Sequence, residues 1–200
     1  MRQIFLLRHG SHDRLDRILC GRMPGVRLSA TGLAEARTAA RLITARLDGA
    51  DRPRLLASPL ERAQETAAAV AEALGLGVET EEALHEVDVG AWTGRPLAEL
   101  HGEPGWGHWN AARGSARPPE GESAAEIAAR MGALLDRFRH DGPPVILVSH
   151  AEPIRIAGLA LLGLGLDAYD SLALSPAGLC EFALWPGGGR LVAWNERSPA

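Results

Sequence analysis

Two histidines in this sequence stand just after apolar runs. The run IFLL at 4–7 is followed by Arg8 and His9, and the run VILV at 145–148 is followed, one residue later, by His150. An imidazole can act as a nucleophile, and an adjacent arginine offers a bidentate donor to phosphate or carboxylate oxygens. These residue types favour chemistry on an anionic substrate. The alternative for either run alone is a strand edge followed by a polar loop.

A third polar segment also follows an apolar run. Residues 54–57 precede Ser58, and Ser58 with Glu61 has the spacing of a capping box, with Pro59 as the first helical residue. Arg62 is then expected in the first helical turn, where free amides and the helix dipole favour an anion. On an isolated helix, a solvated surface arginine would be the commoner role.

The apolar runs predict buried strands of a mainly parallel sheet, because unbroken apolar runs suit strands covered on both faces. Helical periodicity and caps predict helices between them, at about 31–47, 59–74, 123–138 and 153–162. An apolar hairpin near the carboxyl terminus, within 179–194, is expected to add an antiparallel edge. We therefore predict an α/β fold, a three-layer sandwich with a largely parallel central sheet, an antiparallel edge and helices on both faces.

The carboxyl ends of parallel strands share one crevice, where open α/β sheets bind their ligands. Arg8, His9, Arg62 and His150 are therefore expected to converge in a compact cationic pocket. Such a pocket suits an anion of phosphate size, since the planar guanidinium matches phosphoryl oxygens well. The polar loop at 11–28 is expected beside this site, because long loops in compact domains are usually functional or mobile.

Composition limits the remaining function classes. The 200 residues are 46% hydrophobic and 23% charged, with a net charge of −4, which predicts one globular domain over 1–200. A mildly acidic chain without a basic run gives no reason to expect nucleic acid as a partner. No membrane span or signal peptide is recognisable, so a cytoplasmic protein is expected. Cys20 and Cys180 predict neither a disulfide scaffold nor a zinc site.

Two segments outside these predicted helices and strands carry further candidate residues. Residues 84–94 have no helical period, and Glu86 within them is either simply solvated or functional. Residues 101–121 form an excursion that could cover the site, or whose tryptophans could anchor it to the core. Its candidates for selecting the substrate are Trp106, Trp109, Arg113 and Arg117.

Four blocks of the sequence resemble, in order, the histidine phosphatase superfamily, also called the phosphoglycerate mutase-like family. They are Arg8-His9-Gly10, then Ser58-Pro59-Leu60-Glu61-Arg62-Ala63 with Thr66-Ala67, then the Glu86 segment ending Gly90-Ala91-Trp92-Thr93-Gly94, and finally Ser149-His150. The resemblance covers nearly the whole chain. It implies that His9 is a nucleophile forming a phosphohistidine and that Glu86 is the proton donor to the leaving group. It also implies a phosphate pocket of Arg8, Arg62 and His150, with no metal or other cofactor.

The chain departs from the family pattern near the first histidine. Ser11 and His12 stand where the family often has Glu-Thr or Glu-Ser, and Leu15 replaces an Asn that commonly bonds the phosphate. We predict that His12 replaces part of this contact, and we include Ser11 among the substrate-binding candidates. Ala151 stands where a Gly usually follows the second histidine, so it adds a methyl group near the pocket.

The expected function is that of a metal-independent phosphatase, which hydrolyses a small organic phosphate monoester through a phosphohistidine. Its expected partner is a small phosphorylated metabolite, and homo-oligomerisation is compatible with the sequence. One alternative is a phosphoglycerate mutase-like phosphomutase, and another is a non-catalytic phosphate-binding or interaction protein. A metal hydrolase is the least expected, because its candidate ligands lack a typical metal-binding spacing: His9, His12, Asp13 and His150.

Overall fold

The computed structural model describes residues 1–47, 49 and 51–197. Six strands form one sheet: β1 (Arg2–Arg8), β2 (Arg54–Ala57), β3 (Glu79–Thr80), β4 (Val145–Ser149), β5 (Leu179–Trp185) and β6 (Gly188–Glu196). Their order is β3-β2-β4-β1-β5-β6. The first four strands in this order pair in parallel, whereas β5 pairs antiparallel with both β1 and β6. The predicted largely parallel sheet with an antiparallel edge is therefore confirmed.

Helices cover both faces of this sheet. They are α1 (Ala30–Arg46), α2 (Glu61–Leu74), α3 (Leu97–Leu100), α4 (Pro104–Ala111), α5 (Ala124–Asp136) and α6 (Ala151–Leu161). Strand β1 contributes side chains to the hydrophobic cores on both faces of the sheet. Phe5 and Leu7 pack with α1 and α2, whereas Ile4 and Leu6 pack with α5 and α6. The three-layer sandwich is confirmed. In the described part of the chain, no helix has the length and apolarity needed to cross a bilayer.

The capping signals had different outcomes. Ser123 and Glu126 form the reciprocal capping box at the start of α5. The box expected at Ser58 and Glu61 is wrong, because α2 begins at Glu61 after an N-cap residue, Leu60, that has no side-chain cap. The hydroxyl of Ser58 accepts from the Leu60 amide at 3.4 Å and also bonds His150, a partner 92 residues away. The segment still turns into a helix at the end of β2, and Arg62 lies in its first turn as predicted.

Two details of the helices differ from the sequence expectations. Helix α6 begins at Ala151 rather than at Pro153, with His150 as its N-cap residue. Pro153 is tolerated there because the first turn of a helix has no backbone acceptors for its amides. The three and four spacing of apolar residues in 31–47 predicts Leu33, Ala36, Ala40 and Ile43 on one buried face of α1, but Leu33 is exposed and only the other three are buried.

The start of α1 holds the loop that follows β1. The Ser29 side chain caps the helix by accepting from the Gly32 amide, and the Ser29 amide donates to the Ser11 carbonyl at 3.0 Å. A Cβ atom added at Gly32 would overlap the backbone of Ser11, and one added at Gly10 would overlap the backbone of Gly32. Glycine at both positions therefore lets α1 lie directly against the segment that carries His9.

We expect Gly32→Ala to lower the free energy of unfolding by about 2 kcal/mol, because its Cβ meets backbone atoms that cannot move aside. Gly132 is the matched control, since it lies inside α5 and a Cβ there contacts nothing within 4 Å. Gly132→Ala should raise the free energy of unfolding by about 0.5 to 1 kcal/mol through helix propensity. Urea denaturation of both variants tests the pair, and equal effects would contradict the proposed close approach.

Candidate active site

A cavity of about 370 Å³ opens beyond the carboxyl ends of β1 and β4. Arg8, His9, His12, Arg62 and Glu86 all contribute to its lining. The parallel register pairs Arg8 with Ser149, so the next residues of the two strands, His9 and His150, are neighbours. Their ring centroids lie 5.1 Å apart, and His150 is fully buried. The strand ends thus bring together side chains that are far apart in the sequence.

The hydrogen bonds of His9 define its protonation. Its Nδ1 lies 2.8 Å from the carbonyl oxygen of Gly10, which can only accept, so Nδ1 carries the proton. Nε2 is then an acceptor, and the Nε–H of Arg62 points at it from 3.3 Å. Burial, followed by the charges of Arg62 and Arg8, lowers the pKa of His9 well below its usual value. His9 is therefore a neutral imidazole with a lone pair on Nε2, as a nucleophile requires.

Two arginines beside His9 keep donors without a partner. Arg62 is 2% exposed and donates through NH2 to the Gly21 carbonyl, but its NH1 has no hydrogen-bond partner among the described residues. Arg8 donates through NH1 to the Leu174 carbonyl, and its Nε is likewise unpaired within the described chain. Unpaired buried donors are costly, and an anion would satisfy them. The inner end of the cavity can therefore bind a phosphate-sized anion.

His150 is oriented by Ser58. Its Nε2 lies 2.8 Å from the Ser58 hydroxyl, and its Nδ1 has no partner in the part of the chain that the structure describes. Burial, followed by Arg62 and His9, lowers the pKa of His150 well below its usual value, so the ring is neutral. Ser149, expected at the same strand end, is not part of the cavity lining. Its hydroxyl donates to the Leu84 carbonyl at 2.7 Å and holds the segment before Glu86 against β4.

Glu86 lies on one wall of the cavity and has the properties of a proton donor. Burial raises its pKa to about 7, with a further rise from Glu152, whereas Arg62 and Arg8 oppose the rise. Its Oε1 accepts from the Val87 amide at 2.9 Å, and its carbonyl accepts from the Arg22 Nε at 2.8 Å. A carboxyl group with this pKa exchanges its proton near neutral pH, as a general acid and base must.

The residues that depart from the family pattern fall in different places. His12 lines the cavity with its ring centroid 5.5 Å from that of His9, and burial, followed by the arginines, lowers its pKa to about 4. Leu15 and Ala151 also line the cavity. Ser11 does not, and its place among the substrate-binding candidates stays a prediction. Its amide donates to Glu35 and its carbonyl accepts from Ser29, so its backbone bonds join the loop to α1.

The excursion at 101–121 forms one side of the cavity, which also includes Glu152 and Tyr169 and is called the far wall. Trp106 and Trp109 line the cavity and also pack against Trp92, with ring centroids 5.6 and 5.8 Å from its own. The sequence leaves two alternatives for the excursion, to cover the site or to be anchored to the core by its tryptophans. The same two side chains do both. Arg113 also lines the cavity. Arg117 does not line the cavity but pairs with Glu126 at 2.7 Å, so its part in substrate selection stays a prediction.

Three residues of the far wall were missed by sequence reasoning: Asn110, Glu152 and Tyr169. The available signal for Glu152 was its position two residues after His150, at the start of α6. Asn110 lies in the last turn of the same helix that carries the two tryptophans, so their prediction could have included it. Tyr169 lies in a 3-10 helix, Leu166–Ser171, and no motif marks it.

Comparison with known proteins gives a consistent relationship. A family model described as histidine phosphatase superfamily, branch 1, matches residues 4–197. An uncharacterized protein of Mycobacterium tuberculosis is 39% identical over 166 residues, which cover 80% of this chain and 79% of that protein. A probable phosphoglycerate mutase, GpmB, of Yersinia enterocolitica is 34% identical over 182 residues, covering 87% of this chain and 81% of that protein.

Solved structures give the same relationship at the level of the fold. A mycobacterial glucosyl-3-phosphoglycerate phosphatase has a TM-score of 0.84 and 28% identity, covering 99% of this chain and all of that one (100%). A phosphoserine phosphatase of Entamoeba histolytica, solved with phosphoserine, has a TM-score of 0.84 and 25% identity, covering 98% of both chains. Both similarities extend over the whole sheet and its helices.

We expect Arg62→Met to lose most of the affinity for inorganic phosphate, at least about tenfold, because a charged donor beside Nε2 of His9 is removed. Arg41→Met is the matched control, since Arg41 is exposed on α1 and bonds only Thr38 among the described residues. Isothermal titration with phosphate and with vanadate measures the affinities. Unchanged binding by Arg62→Met with a native circular dichroism spectrum would place the anion site elsewhere.

Proposed function

Because the chain belongs to the histidine phosphatase superfamily, we propose that it is a metal-independent phosphatase that hydrolyses a small organic phosphate monoester through a phosphohistidine. One observation carries the proposal: the unprotonated Nε2 of His9 lies among the unpaired donors of Arg8 and Arg62. Glu86, with a pKa of about 7, lines the same cavity. A nucleophile, an anion site and a proton donor are the parts that this reaction needs.

In the first step, Nε2 of His9 attacks phosphorus as the bond to the ester oxygen breaks. Glu86 gives its proton to that oxygen, so the alcohol leaves neutral and the phosphoryl group remains on His9. In the second step, water attacks phosphorus, and the Glu86 carboxylate takes a proton from it. The phosphorus–nitrogen bond breaks, His9 recovers its lone pair, and inorganic phosphate is released.

The surrounding cations stabilise the charge on the phosphoryl oxygens during both steps. Phosphoryl transfer depends mainly on positioning and electrostatic stabilisation, and the donors of Arg8 and Arg62 are fixed by carbonyl bonds before any substrate arrives. His12 and His150 would add neutral donors in the tautomer that places the proton on Nδ1. With arginines in this role the proposed reaction uses no metal ion, and a chelator should leave the rate unchanged.

A phosphomutase is the second candidate, and the 34% identity to a probable phosphoglycerate mutase favours it. The two activities use the same phosphohistidine but differ in the group that accepts the phosphoryl from it. A mutase needs a diphosphorylated activator and conserves phosphoryl groups among its organic products, whereas a phosphatase releases inorganic phosphate without an activator. Measuring phosphate release with and without such an activator separates them.

We expect His9→Ala to abolish turnover of p-nitrophenyl phosphate, because it removes the imidazole whose unprotonated Nε2 lies beside Arg62. When the phosphoryl group of the substrate is labelled, an alkaline quench, under which phosphohistidine survives, should trap the label on the wild type and not on the variant. His140→Ala is the control, since this histidine is exposed and lies outside the cavity. Turnover by His9→Ala at the wild-type rate would refute the nucleophile, and tight phosphate binding without turnover by the wild type would favour a non-catalytic protein.

We expect Glu86→Gln to slow hydrolysis of an alkyl phosphate by about 100-fold but that of p-nitrophenyl phosphate by less than about tenfold. The reason is that an alkoxide needs a proton to leave, whereas p-nitrophenolate does not. In the wild type, kcat/KM for the alkyl ester should fall as the pH rises through about 7, since Glu86 then loses its proton. The Gln variant should lack this alkaline limb.

Glu82→Gln is the matched control for the proton donor, because Glu82 is exposed just before the Glu86 segment and lies outside the cavity. It should keep the wild-type pH profile with both esters. An equal loss of rate with the two esters in Glu86→Gln would show that Glu86 positions the substrate rather than protonating the leaving group.

A further inference from the structure

The far wall of the cavity holds an arginine that packs against two aromatic rings. The Arg113 guanidinium carbon lies 3.4 Å from the ring centroid of Trp109 and 4.3 Å from that of Tyr169. Its side chain is 6% exposed. A guanidinium that stacks on aromatic rings meets an anion through the nitrogen atoms of its edge.

That edge is only partly engaged, because Nε and NH1 have no hydrogen-bond partner among the described residues, but its charge is paired. NH1 of Arg113 lies 3.0 Å from Oε1 of Glu152, and NH2 donates to the Asn110 side chain at 3.3 Å. Glu152 is itself buried, with its side chain 11% exposed, so the pair is shielded from solvent. An ion pair this close and this dry cancels most of the field of Arg113 in the cavity.

The other charges of the cavity are already engaged. In the described part of the chain, its lining contains three arginines, and two of them, Arg8 and Arg62, adjoin His9 and would hold the phosphoryl group. The remaining charged wall residues are carboxylic: Asp16, Glu86 and Glu152. Once the phosphoryl group is bound, no unneutralised cation remains among the described lining residues for a second anionic group on the substrate. Trp106, which is only partly buried, instead offers a ring surface.

We infer that Glu152 sets the substrate class by neutralising Arg113, so that the cavity takes phosphate esters of uncharged alcohols and disfavours those whose alcohol carries a carboxylate. The inference rests on the proposed phosphatase activity and narrows its substrate. Glu152 acts through Arg113 and through its own charge rather than on the reacting atoms, so it is a specificity-determining residue. A carboxylate placed at the far wall would meet Glu152 without a free positive partner.

Glycerol 3-phosphate and 3-phosphoglycerate test this directly, because they differ at the end remote from the phosphate, a hydroxymethyl group against a carboxylate. The wild type should show at least about a tenfold higher kcat/KM for glycerol 3-phosphate. The same ratio should appear in their inhibition constants against p-nitrophenyl phosphate, which covers the case of slow turnover of either ester. A ratio near one, or a preference for 3-phosphoglycerate, overturns the inference.

Glu152→Gln keeps the shape of the side chain but frees the charge of Arg113. In this variant, the ratio of kcat/KM for glycerol 3-phosphate to that for 3-phosphoglycerate should fall at least about tenfold below the wild-type ratio. The double variant Glu152→Gln, Arg113→Gln should not show this fall. Because the comparison is a ratio, the effect of Glu152 on the pKa of Glu86 cancels. Glu103→Gln is the matched control, since Glu103 pairs with Arg95 outside the cavity and should keep the wild-type ratio.

If Glu152→Gln does not fold, a second pair of esters decides with the wild type alone. Ethyl phosphate and 2-phosphoglycolate also differ by one carboxylate, and the same preference for the uncharged ester is expected. Hydrolysis of both members of each pair at equal kcat/KM would sink the inference while leaving the phosphatase intact. Failure to hydrolyse any ester, with no phosphoenzyme trapped, would instead sink the proposed function.

Discussion

The register of the parallel strands is the constraint on which the site depends. Arg8 pairs with Ser149 across β1 and β4, and Ala57 pairs with Val148 across β2 and β4, so three strands end at nearly the same level. The residues after those ends are His9, His150 and Ser58, which are thereby placed side by side. A slip of one residue in either pairing would turn the alternate side chains to the opposite face and separate the two imidazoles. The apolar faces of β1, buried in both helical layers, fix the register against such a slip.

Most of the inner site was predictable because its signals are local. Apolar runs that end at polar residues indicate buried strands, and the strand-end rule places Arg8, His9 and His150 together without any knowledge of the loops. The signal at Ser58 was misread for a physical reason. Its hydroxyl accepts from the Leu60 amide at 3.4 Å, outside helix α2, and bonds the buried His150 at the shorter distance of 2.8 Å. A capping pattern in the sequence describes which local amides a serine hydroxyl can bond. It does not identify the tertiary partner that competes with them.

The far wall was less predictable because nothing local defines it. Arg113, Glu152 and Tyr169 come from the excursion, the start of α6 and a 3-10 helix, and their types are ordinary surface residues in sequence. Only the folded chain places the guanidinium between two rings and beside a buried carboxylate. The same limit applies to the predictions for Arg117 and Ser11. Their residue types suit a phosphate site, but their bonding partners, Glu126 and Glu35, lie outside the cavity. Residue type fixes what a side chain can do, and long-range packing fixes where it does it.

Burial acts on His9 and Glu86 in opposite senses and suits both to the proposed reaction. Desolvation disfavours the charged form of each, so it lowers the pKa of the imidazole and raises that of the carboxyl. The two arginines reinforce the first shift and oppose the second, which leaves Glu86 near neutrality rather than permanently protonated. A bound phosphate would offset the arginine charges and add its own negative charge beside the carboxyl group. Glu86 would then hold its proton more firmly in the complex, until the leaving oxygen develops the charge that takes it.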